Sequence, residues 1–139
     1  MMFPEKLIFG VDLPEPLPQS HVQASEAIPA SEVGLLAAPF SNFRLVRSRS
    51  DDIDYHSIPS VTMVFIDGDH SREAVARDSM AARFIALRRG RKFIVWHDYT
   101  PEPHMFLGVG EYLREEFDQL AGGGITHVKD TCVAFYEVP

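Results

Sequence analysis

Two short clusters of acid and imidazole side chains carry the chemistry this sequence could do. The first, Asp67-Gly68-Asp69-His70-Ser71, follows the apolar run Met63-Val64-Phe65-Ile66; the second, His97-Asp98-Tyr99-Thr100, follows Phe93-Ile94-Val95-Trp96. Met63–Ile66 is apolar at every position, which predicts a buried central strand rather than a half-exposed one. Its polar end then falls at the carboxyl edge of a sheet, where open α/β folds bind their ligands. Neighbouring strands lie about 4.8 Å apart. Two such strands, parallel and adjacent, would crowd Asp67, Asp69, His70, His97 and Asp98 into one crevice, with groups fit to pass a proton or hold a cation. Each residue alone also has a plainer role. Asp67-Gly68 could be a turn, Asp69 a helix cap and His97 a satisfied core histidine.

The elements that must position these clusters can be read on either side of them. Lys6–Val11 is a strand candidate ending at Asp12, and Leu13–Pro18, with three prolines, is loop. Ser20–Ala38 is rich in Ala, Ser and Glu but interrupted by Pro29, which predicts short helical pieces such as Ser31–Ala38 with Ser31 as N-cap. Phe43–Val46 is a further strand, and Arg47–Tyr55 a polar segment holding Asp51, Asp52 and Asp54. Ser71 can cap a helix reaching about Leu87, with Glu73 near its start, Arg88-Arg89 at its end and Gly90 as a stop. Val75, Met80, Ala81, Phe84 and Ile85 are its expected buried stripe. Lys92–Trp96 is the second central strand, and Tyr99–Leu107 a loop with Pro101 and Pro103. Val109, Tyr112, Leu113, Phe117 and Leu120 recur at helical spacing over Gly108–Leu120, up to the stop at Gly122-Gly123-Gly124. Ile125–Val128 and Thr131–Val138 read as a final strand pair turning at Lys129-Asp130. Strands alternating with helices predict a single α/β domain over 1–139, with a mostly parallel sheet covered on both faces.

Bulk properties narrow the function classes. With 139 residues, 45% hydrophobic and 24% charged, the chain can bury a core without disulfide staples. A net charge of −7 argues against nucleic acid as an electrostatic partner. The lone Cys132 sits in an apolar strand-like run, which predicts a packed thiol and, with no disulfide to form, a cytoplasmic setting. No stretch approaches the roughly 18 apolar residues of a membrane span, and the first residues lack a signal peptide's apolar centre, so no membrane association is expected.

Val64-Phe65-Ile66-Asp67-Gly68-Asp69-His70-Ser71, the helix after it, and Ile94-Val95-Trp96-His97-Asp98-Tyr99 together resemble the class I S-adenosylmethionine-dependent methyltransferases. The similarity is closest to the small-molecule O-methyltransferase branch that includes catechol-type and macrolide- or cephalosporin-type enzymes, and it covers most of residues 6–138. It implies a Rossmann-like, mostly parallel sheet with flanking helices and a C-terminal antiparallel strand pair. Phe9-Gly10-Val11-Asp12 is similar to the family's second strand, whose terminal acid holds the cofactor ribose, so Asp12 becomes the expected cofactor-binding residue. The family's first strand and glycine-rich turn, which cradle the methionine end of S-adenosylmethionine, have no counterpart in this sequence. The resemblance therefore implies a truncated domain lacking its first β-α unit. In the family that strand lies mid-sheet, between those at Lys6–Val11 and Val61–Ile66. Its loss would bare two apolar edges, which could be closed by direct pairing, by a partner chain or by a helix from Ser20–Ala38. Direct pairing together with homodimer formation is the expectation.

Carried onto this sequence, the divalent-metal ligands of the metal-dependent members would be Asp67, His97 and Asp98. Asp69 or His70 would be a further ligand or the catalytic base. Carboxylates suit Mg²⁺ or Mn²⁺, and a histidine among them shifts preference toward ions such as Mn²⁺ or Zn²⁺. Three functions compete. One is metal-dependent O-methyl transfer to a small-molecule substrate. The second is metal-dependent hydrolysis of a phosphate or carboxylate ester in the same crevice. The third is a non-catalytic remnant that only binds. Trp96 and Tyr99 are expected in packing, His21, His56 and His127 on the surface, and Arg47 and Arg49 in solvent. Arg72 lies close enough in sequence to the first cluster to meet an anion, and His104 could reach over the site.

Overall fold

The computed structural model describes residues 6–12, 34–58, 61–87, 92–102 and 107–139. It is mixed α/β with two sheets, and it divides into two compact units, Met1–Ile53 and Asp54–Pro139.

In the first unit β1 (Ile8–Asp12) pairs in parallel with β2 (Phe43–Arg47), in register from Ile8↔Phe43 to Asp12↔Arg47. Gly10 admits the ring of Phe43 over the strand, since a Cβ there would lie 2.9 Å from the ring's Cζ. The helix expected to end at Ala38 is replaced over 34–39 by successive turns, in which the amides of Ala37 and Ala38 both donate to the Gly34 carbonyl. Ser31 and the rest of Ser20–Ala38 before Gly34 lie outside the described residues, as do Gly90, His21 and His104. Ser50–Asp52 forms one 3-10 turn, beside which Arg49 Nε donates to Asp51 at 3.0 Å.

The second unit is built on β3 (Met63–Ile66), α1 (Arg72–Ala86), β4 (Lys92–Trp96), α2 (Leu107–Tyr112), a π-helical turn at Leu113–Phe117, α3 (Asp118–Ala121), β5 (Thr126–His127) and β6 (Ala134–Val138). The strand order is β3-β4-β6-β5, with β3 parallel to β4 and the two later pairings antiparallel. The C-terminal antiparallel pair is thus present, turning through Asp130 at φ 62°.

Local chemistry explains most boundaries. Ser71 caps α1, its Oγ accepting from the Ala74 amide at 3.4 Å. The Leu113–Phe117 turn is wide, with the Asp118 amide reaching back five residues to Leu113. Gly122, at φ 79°, closes α3 in the left-handed conformation that glycine adopts without Cβ strain. The core lies between the helices and one sheet face. Trp96, Ile94, Tyr112, Leu113, Phe117 and Ala134 are buried there, with Trp96 edge-on to Phe117 at 4.8 Å and Phe117 edge-on to Tyr136 at 5.5 Å.

Several expectations are corrected. Direct pairing of the strands at Lys6–Val11 and Val61–Ile66 does not occur: β1 joins β2, and β1 and β3 belong to different sheets. Nor is β3 central. It is the edge strand of its sheet, with Met63 58% and Phe65 50% exposed, and β4 takes the central place. An apolar run says that both faces can be buried; whether a neighbour covers them is a tertiary matter. On α1, Val75 and Ile85 are buried, but Met80 and Phe84 are exposed and Ala81 is only partly covered; Ala74, Ser79, Ala82 and Ala86 face the core instead. The bulk of Trp96 and Tyr112 already fills that space, so the helix presents its small side chains. Leu120 is exposed, and Cys132 is exposed in the connection before β6 rather than packed. Among the described residues no helix is long and apolar enough to cross a membrane.

A buried polar bond joins α1 to β4: Trp96 Nε1 donates to Ser79 Oγ at 2.9 Å. Ser79→Ala would orphan the indole N–H and is expected to cost about 1–3 kcal/mol in urea unfolding. A loss below about 0.5 kcal/mol would mean that this bond does not fasten the helix to the sheet.

Candidate metal centre

The parallel register of β3 and β4 builds the site. Ile66 pairs with Trp96, so the next residues, Asp67 and His97, leave the sheet side by side. The His97–Asp98–Tyr99 backbone is pinned from both flanks. The His97 amide donates to the Ile66 carbonyl at 3.0 Å, and the Tyr99 amide donates to the Cys132 carbonyl at 3.1 Å. Between them Asp98 takes φ 56°, a left-handed conformation that aspartate tolerates better than most residues. Asp98 is only 7% exposed, a burial that requires polar partners.

Those partners are imidazoles. Asp98 Oδ2 lies 2.7 Å from His70 Nε2 and 3.0 Å from His97 Nδ1. Asp67 Oδ1 lies 3.5 Å from the same His97 nitrogen. The approach of His97 Nδ1 to Asp98 is close but lacks the alignment of a hydrogen bond, leaving a buried nitrogen aimed between two carboxylates without a directed partner. One donor atom each from Asp67, His97 and Asp98 falls within a mutual separation of 4.8 Å. This spacing and donor set fit a divalent cation, which prefers carboxylate oxygen and imidazole nitrogen at about 2.0–2.6 Å from itself. The three residues named from the sequence are therefore together, and they could hold a metal ion.

The remaining named residues have different placements. His70 and Asp69 line the same small crevice, above Val75, Trp96 and Val109. Asp69 Oδ1 accepts the Ser71 amide at 2.8 Å, an Asx-type turn leading into α1, whose N-cap is Ser71 rather than Asp69. His70 stands on Asp98 rather than within the three-donor cluster. Asp12 ends β1 in the other unit, opposite Arg47 in register, and its side chain is outside the described residues. Arg72 is spent on Glu115, at 3.5 Å, and on Glu116. Trp96 and Tyr99 are buried packing residues, His127 lies tilted against Tyr99 with ring centroids 5.5 Å apart, and His56 meets Phe84 edge-on.

Two features escaped the reading of the sequence: the pairing of His70 with Asp98, and the close packing of Gly108 against the segment that carries His70. A glycine inside an otherwise amphipathic helical pattern, where alanine would be favoured by about 1 kcal/mol, was the available signal for the second. No protein-family model matches the chain, and no curated protein matches it significantly.

Contact with Asp98 raises the His97 pKa above the ordinary histidine value, opposed by partial burial and reinforced by the negative charges of Asp98 and Asp67. A raised folded-state value means that protonated His97 stabilises the metal-free protein below about pH 6.5, a contribution lost as pH climbs through the raised value. A metal needs the neutral ring, so the two slopes oppose each other. Over the same interval Mn²⁺ affinity should rise by up to about tenfold per pH unit while metal-free thermal stability declines. Calorimetric titrations and melts across that range check this. Mn²⁺ affinity flat with pH would exclude His97 as a ligand.

Proposed function

We propose that this chain is a methyltransferase-related protein that holds a divalent cation on Asp67, His97 and Asp98, and that its reaction is O-methyl transfer to a small-molecule acceptor. The observation that carries the reading is the convergence of two carboxylates and a hydrogen-bond-starved imidazole nitrogen at adjacent parallel strand ends. The sheet supports it as well: a parallel pair leading to a C-terminal antiparallel pair is the layout that the resemblance implies for a Rossmann-like domain.

When bound, a divalent cation at this centre would supply Lewis acidity, lowering the pKa of an acceptor hydroxyl. The protein's own groups do the rest. Asp67 and Asp98 supply negative charge and oxygen donors, and His97 supplies nitrogen. The half-exposed His70 and Asp69 stand beside the centre, placed to take a proton. Val75, Trp96 and Val109 floor the crevice with apolar surface. The proposed partners are the small-molecule substrate and a second copy of the chain.

For S-adenosylmethionine the fit is poor. The sequence contains no Gly-x-Gly-x-x-Gly motif or relative of it that follows a strand, and no step is derived through that cofactor. This observation favours a second reading, in which the same centre hydrolyses a phosphate or carboxylate ester and needs no residue that the chain lacks.

Titration with Mn²⁺ and, separately, with S-adenosylmethionine separates these readings through melting shifts. Micromolar response to both supports methyl transfer. Response to metal alone, with ester turnover that a chelator stops, supports hydrolysis. Silence to metal contradicts both. Asp67→Ala and Asp98→Asn are each expected to weaken Mn²⁺ binding at least tenfold while the circular dichroism spectrum stays native. Unchanged affinity in both variants would place the ion elsewhere.

A further inference from the structure

The closest backbone approach recorded at any described glycine lies beside the candidate centre. Gly108, in the first turn of α2, is pressed against the segment joining β3 to α1. A Cβ added to Gly108 would overlap the His70 carbonyl oxygen and sit 2.5 Å from the Arg72 nitrogen and 2.8 Å from the Ser71 carbonyl carbon. All three are backbone atoms, so no rotamer change relieves the overlap. The same segment is tied to the same helical stretch a second time, by Arg72 to Glu115 and Glu116. Its first residue, His70, reaches Asp98 Oδ2 at 2.7 Å.

We propose that the helix beginning at α2 is a positioning device for the metal centre, with Gly108 as its positioning residue. The bare backbone of Gly108 lets the helix press the His70–Arg72 segment close enough for His70 to hold the Asp98 carboxylate. Arg72 locks the segment from its other end. The inference rests on the reading of Asp98 as a ligand, and deepens it. A ligating carboxylate is aimed by the group that hydrogen-bonds its other lone pair, and such outer partners typically govern metal affinity by 10–100-fold. A methyl group at Gly108 would force the segment and helix apart by roughly 1 Å to restore ordinary contact. A 2.7 Å contact lengthened by that amount lies beyond hydrogen-bond distance.

Gly110 provides the control. It lies in the same helix, and the atoms nearest to a Cβ there are at the far end of the Arg114 side chain, 2.8 Å away and beyond. Both Gly→Ala changes gain helix propensity, and only Gly108→Ala meets backbone.

The test is a double-mutant cycle read by NMR on the full chain at fixed pH, with the His70 Cε1–H resonance assigned through His70→Gln. In the parent chain, Asp98→Asn should shift that resonance. In Gly108→Ala it should already be displaced, and Asp98→Asn should move it no further; Mn²⁺ affinity should fall about tenfold or more. Gly110→Ala should keep both the coupling and the affinity. Should Gly108→Ala fail to fold, Arg72→Gln loosens the same segment from a half-exposed position and is expected to reduce the coupling and the affinity in the same direction. Undiminished coupling in a folded Gly108→Ala protein, or in Arg72→Gln where that variant replaces it, overturns the proposal. A parent chain that binds no Mn²⁺ would overturn the ligand reading alone, because the His70–Asp98 coupling is read without metal.

Discussion

Two parallel strands deliver their carboxyl ends to the same side of a sheet, and the register between β3 and β4 decides which side chains meet there. With Ile66 opposite Trp96, Asp67 comes out beside His97. A slip of one residue would turn one strand's side chains over relative to the other's and part the acids. The rest of the site follows from this pairing. The amide of His97 is held by β3, that of Tyr99 by the connection before β6, and the left-handed Asp98 between them is buried against two imidazoles. A charged group so placed costs free energy unless it is paired. His70 and His97 provide that pairing in the protein alone, and a divalent cation would provide it more strongly.

The helices keep the register useful. α1 lies on the sheet with its alanines and Ser79 inward, which leaves room for Trp96, Tyr112 and Phe117 to fill the core and for the Trp96–Ser79 bond to form. Because α1 starts two residues after His70, with only its N-cap Ser71 between, any shift of that helix is felt in the crevice. α2 meets the same segment at Gly108, so the two helices and two strand ends bear on a few residues. The other sheet face is less covered: Met63 and Phe65 are exposed on the edge strand, with Phe93, Val95 and Phe135 half-buried in line with them.

Much of this was legible where a local rule decides the outcome. Ser71 before a run of helix formers, Gly122 after one, and an apolar strand ending in His-Asp each specify their structure within a few residues, and α1, α3's end and β4 lie where those signals put them. Bringing Asp67, His97 and Asp98 together was legible because two apolar runs with acidic ends, separated by one helix, are most simply joined as a parallel pair. Properties set by neighbours distant in sequence were not legible. The exposure of Met63 and Phe65 depends on which strand lies beside β3. The outward turn of Met80 and Phe84 depends on the volume of Trp96 and Tyr112. The pairing of β1 with β2 rather than β3, the grip of His70 on Asp98 and the π-helical turn at Leu113–Phe117 all arise from tertiary packing, which overrides pattern and propensity.

The central claim is that Asp67, His97 and Asp98 form one cation site, and anomalous diffraction from Mn²⁺-soaked crystals tests it most directly. The account predicts a manganese peak about 2.2 Å from a carboxylate oxygen of Asp67, from His97 Nδ1 and from a carboxylate oxygen of Asp98. A peak bound to other residues, or none at saturating Mn²⁺, would contradict it.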